Sequence, residues 1–120
     1  MDFFIKDRKG KISQSLLSLL VEDRVAINEI VKTELLIGAK DTLQYQELQD
    51  DLAVLPHVLL TDAVWDTTRQ LGFSLARKGF LLPLSDLVIA ASAVIYGCEL
   101  FHIDRHFEII ARHASLKLYK

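Results

Sequence analysis

"LSDLVIAASAVIYGCELFHID", residues 84–104, reads as a helix, a stop and a strand in succession. Pro83 and Ser85 introduce the helix, Gly97 ends it, and "ELFHI" follows as a strand. Asp86 is the one charged residue between Leu84 and Tyr96, at the head of a run of small and branched apolar side chains. Either it only starts the helix, or it carries chemistry.

Further along, "DRHFEIIARH" has helical spacing and "LKLY" reads as a last short strand. Upstream, Thr61 or Asp62 caps a long helix running to about Gly79, with Val64, Trp65, Thr68, Leu71 and Leu75 facing inward. "HVLL" after Pro56 is a strand candidate, and Leu43, Leu48 and Leu52 mark a helix over about residues 41–53. Asn28 caps a helix through "EIVKTELLIGA" that Gly38 ends, and "RVAI" before it is a short strand. In "GKISQSLLSLLVED", Ile12, Leu16, Leu19 and Leu20 share one helical face.

Short strands separated by helices define an α/β domain with a largely parallel sheet, because parallel neighbours need crossover connections. The 120 residues suit one domain, and a chain that is 51% hydrophobic and 25% charged reads as an ordinary globular protein. A net charge of −2 supplies no global basic field, so nucleic-acid binding would need a local basic face or metal ions. Cys98, the single cysteine, is expected to be a buried thiol. No run approaches the roughly 18 apolar residues of a membrane span and "MDFFIKDRKGK" lacks the apolar core of a signal peptide, so the expected location is the cytoplasm, with no membrane partner.

Three carboxylates stand in places that need explaining. Ile27, Ile30, Val31, Ile37 and Gly38 gather on one side of their helix with Glu34 in the middle of that arc, where a carboxylate needs a proton, a paired cation or a metal. Asp86 lies in the first turn of its helix, where the helix dipole alone favours it by about 0.3–1 kcal/mol. Asp104 follows "ELFHI", where it can cap the next helix or join a site at the carboxyl ends of parallel strands. If the three converge, they form the kind of oxygen cluster that holds Mg²⁺ or Mn²⁺, with His106 on the rim. His57, His102 and His113 show no ligand spacing, and there is no glycine-rich phosphate loop, paired-cysteine zinc pattern or nucleophile elbow.

"TELLIGA", "LSDLVIAASA" and "HIDRHFEII", in this order and spacing, resemble a PIN domain, and specifically the small VapC-like toxin ribonucleases of toxin–antitoxin pairs. The resemblance spans about residues 2–120 and implies a three-layer α/β/α sandwich with a mostly parallel sheet and an acidic pocket for Mg²⁺ or Mn²⁺. By position, Glu34, Asp86 and Asp104 match three of the family's catalytic, metal-binding acids, and His106 stands where a fourth polar or acidic group often occurs. Such proteins begin with a central strand ending in a metal-binding aspartate, followed by a stretch like "WIDFF". This chain starts at "MDFF", so residues 1–120 are expected to be a PIN-like domain lacking the first strand and the first aspartate, and Asp2 does not replace it. A start assigned about ten residues too late is the favoured explanation, because losing a central strand would leave both neighbours' backbone groups unpaired. A truly short form would bind metal weakly, cut slowly and associate through its open sheet.

The implied function is a metal-dependent endoribonuclease toxin that hydrolyses RNA with metal-activated water and is restrained by a cognate antitoxin. Arg77, Lys78 and Arg105 are the nearest basic residues for RNA, and the first and third predicted helices offer apolar surface for a homodimer. The alternative is a degenerate PIN domain that binds an antitoxin without cutting; a nuclease acting on DNA would carry the same motifs.

Overall fold

Every residue from Asp86 to Ala93 is buried in the computed structural model, which describes residues 3–5, 25–101 and 105–118. These residues belong to a helix, Leu84–Ile95, that is wet only at its ends. Full burial of Leu87, Val88 and Ile89 contributes about 1.5–3 kcal/mol each, and Ala90, Ala91 and Ala93 let neighbouring backbones come close. Gly97, at φ 66°, then turns the chain: the Cys98 N–H donates to the Ala93 carbonyl at 2.8 Å and the Gly97 N–H to Val94 at 3.2 Å. This pairing closes the helix end, leaves Cys98 buried as expected, and feeds the chain directly into a strand.

In chain order the elements are β1 (Phe3–Ile5), β2 (Val25–Ala26), α1 (Glu29–Ile37), α2 (Thr42–Ala53), α3 (Asp62–Arg77), α4 (Leu84–Ile95), β3 (Glu99–Phe101), α5 (Arg105–His113) and β4 (Lys117–Leu118). The sheet order is β2-β1-β3-β4 and every pairing is parallel, which is the expected α/β class. Helix α4 packs against α1, α3, α5 and β3. The expected helix around Ile12, Leu16, Leu19 and Leu20 lies outside the described residues.

The centre of the sheet, expected to be open, is filled. Phe3 pairs with Val25 on one side and Glu99 on the other, so "FFI" itself occupies the centre of the sheet and satisfies both neighbours. "HVLL" is less than a strand: His57 makes one isolated bridge to Ile27, with the Val58 N–H donating to the Ile27 carbonyl at 2.9 Å. Beyond that bridge Leu59 is exposed.

Helix α3 buries Val64, Thr68, Leu71 and Leu75, the face its spacing predicts, with Trp65 half-buried beside Val64. On α1 the expected apolar arc is shorter: Val31 and Leu36 are buried, but Ile37 is 77% exposed and Gly38 is exposed because the last turn runs past the core. On α2 only Leu52 is buried, Leu48 is partly covered and Leu43 faces outward.

Asn28 ties the layers together. Its side-chain oxygen accepts from the Val31 N–H at 2.9 Å, capping α1, while its amide donates to Ser92 Oγ at 3.0 Å. Ser92 in turn donates to the Val88 carbonyl at 2.9 Å, so these buried polar groups satisfy one another. Asn28→Ala is expected to lower the unfolding free energy by about 1–3 kcal/mol, read as a lower urea midpoint at unchanged slope.

Candidate active site

Parallel strands place their carboxyl ends together, and the connections decide what collects there. Asn28 follows β2 at that end and starts α1; α5 starts there after β3. Helix α4 enters β3 through the tight turn at Gly97, so its tail lies at the amino end of the sheet and its head, about 18 Å away along the axis, lies toward the carboxyl end. The heads of α4 and α5 therefore meet, and their side chains touch.

The contact is between His106 Nδ1 and Asp86 Oδ2, 2.7 Å apart. The Asp86 side chain is fully buried, whereas that of His106 is 39% exposed. A carboxylate can only accept, so His106 donates from Nδ1. The N-cap of α4 is Pro83, which makes no side-chain cap bond, and Asp86 stands three residues beyond it, still within the first turn. Helix capping therefore does not account for this residue, although the positive end of the helix dipole favours its charge.

Glu34 is half-buried on α1, one turn on from Ile30 and Val31, which pack with the core. It is a border residue rather than the buried centre of an apolar arc. Asp104 lies outside the described residues, as do His102 and the side chain of Arg105; the described part of α5 begins at Arg105. Among the described residues, no three His, Cys, Asp or Glu side chains are grouped to hold a metal ion. Asp86 itself offers carboxylate oxygen, the donor type that Mg²⁺ and Mn²⁺ prefer. On sequence His106 is only a rim residue; its direct hold on Asp86 required the α4–α5 packing. Arg77 and Lys78 are exposed, with Arg77 over the Phe73 ring and Lys78 Nζ 3.4 Å from His113 Nδ1.

A parallel α/β domain with an acid–histidine contact at the carboxyl end of its sheet is the class defined so far. The chain belongs to the PIN domain family, which it matches over residues 2–113. It is similar to Ribonuclease VapC18 of Mycobacterium tuberculosis, with 27% identity over 107 residues, 86% of this chain and 78% of that protein. It is also similar to Ribonuclease VapC11 of the same species, 31% identical over 97 residues covering 78% and 72% of the two chains. Among solved structures, VapBC2 from Rickettsia felis, bound to a DNA fragment from its promoter, shares the fold with a TM-score of 0.81 at 23% identity, covering 99% of this chain and 98% of that one.

Removing the His106 ring withdraws a donor from a buried acceptor. His106→Ala is expected to reduce stability by about 1–3 kcal/mol with helix content unchanged, measured by urea unfolding and far-ultraviolet circular dichroism.

Proposed function

We propose that this chain is a metal-dependent endoribonuclease, a toxin held in check by a cognate antitoxin in the cytoplasm. The observation that carries the reading is the fully buried Asp86, held at the carboxyl end of the sheet in a PIN domain whose relatives are named ribonucleases. Glu34, Asp86 and Asp104 would hold Mg²⁺ or Mn²⁺, which when bound activates water and stabilises charge on phosphate oxygens. The chain's own part is to keep Asp86 dry and oriented, and to bring the RNA backbone to it. Arg77 and Lys78 are the exposed cations proposed to bear on phosphate, which a chain of net charge −2 needs locally.

The antitoxin reading is supported by neighbouring structures that are VapBC complexes and by exposed apolar side chains on and beside α2, where Leu43 is 69% and Val54 80% exposed. A homodimer would cover the same kind of surface. Among the described residues, no helix is long and apolar enough to cross a membrane.

The deciding assay is cleavage of a structured RNA panel with Mg²⁺ or Mn²⁺. The wild-type chain is expected to cut, and Asp86→Asn, Glu34→Gln and Asp104→Asn each to lose at least about 100-fold. An inert chain that still binds its antitoxin would instead be the degenerate, non-catalytic module. The Arg77→Ala/Lys78→Ala double variant is expected to bind RNA more weakly, with the slope of log affinity against log salt shallower by roughly 1.4.

A further inference from the structure

We infer that His106 is a positioning residue that fixes the orientation of the Asp86 carboxylate as a metal ligand. The inference rests on the reading of Asp86 as a metal ligand and goes beyond it, since His106 acts through Asp86. The His106 Nδ1–H holds Oδ2 at 2.7 Å. A carboxylate carries about four lone-pair directions and turns about its last side-chain bond; a short bond from a second helix removes that freedom. The two residues start from different elements, α4 and α5, so the bond also holds the two helix heads in fixed relation at the carboxyl end of the sheet.

Burial makes the arrangement asymmetric in a useful way. Asp86 is fully buried and has no solvent to reorient it, whereas His106 reaches it from the partly wet side. Neighbouring packing reinforces the geometry: Phe107, the next residue on α5, is fully buried in the core that holds Leu87 and Ile89. His106 is thus carried by an anchored helix turn. Donors of this type orient a metal's ligands, and their removal typically weakens metal binding 10–100-fold.

The test is Mn²⁺ affinity of the full chain, by electron paramagnetic resonance of the free ion, with folding checked by circular dichroism. His106→Phe keeps a ring but no donor, and His106→Asn places an amide N–H close to the lost Nδ1–H. The inference expects Mn²⁺ affinity to fall about 10–100-fold in His106→Phe and to stay within about threefold of wild type in His106→Asn. Wild-type affinity in folded His106→Phe, or equal losses in both variants, overturns it. Asp86→Asn separates the two levels. If it abolishes binding while His106→Phe does not, the positioning role falls and the metal-site reading stands; if it binds Mn²⁺ like wild type, the metal-site reading falls and takes the positioning role with it.

Discussion

A carboxylate sealed inside an apolar helix bundle constrains everything around it. Asp86 sits at the head of α4, and all of the helix from that residue to Ala93 is covered. Burying a charge costs several kcal/mol unless hydrogen bonds and a favourable field replace water. Here the first turn of α4 supplies the field and His106 supplies a donor, and that donor can arrive only if α5 begins where it does. The position of α5 follows in turn from β3, and β3 follows from the Gly97 turn at the foot of α4. The sheet's carboxyl end and the Asp86–His106 contact are thus two descriptions of the same packing solution.

A second polar junction holds the other side. Asn28 joins the end of β2, the start of α1 and the third turn of α4 through Val31 and Ser92. Apolar contact alone would allow α1 to slide along α4, because Ala and Val surfaces are nearly uniform. The directional bonds at Asn28 and Ser92 select one register, and with it the position of Glu34 relative to the helix that carries Asp86. Gly72 on α3 plays a steric counterpart: a Cβ there would meet Leu87 Cδ1 at 3.1 Å, so α3 sits closer to α4 than alanine would comfortably permit.

What was legible in the sequence was what local chemistry decides. The Asn28 and Thr61 caps, the buried face of α3 and the Gly97 stop all depend on residues within one or two turns of each other. The "FFI" strand was not legible, because three apolar residues carry no period and become a strand only between partners far away in the chain. Ile37 misled for a related reason: helical spacing says which side a residue faces, not whether any neighbour is there to cover it. The site was half legible. Asp86 could be singled out by its isolation in an apolar run, whereas its bond to His106 links residues whose proximity only the α4–α5 packing creates.

The centre of the sheet is closed by residues from opposite ends of the chain, since Phe3 is flanked by both Val25 and Glu99. During synthesis β1 must wait until β3 has emerged before its second edge is filled, and such non-local pairing folds slowly. A ribosome-bound or prematurely terminated chain that stops short of residue 99 has neither β3 nor the α5 donor for Asp86. The architecture therefore couples completion of translation to completion of the Asp86–His106 contact, which an unfinished copy of the chain cannot make.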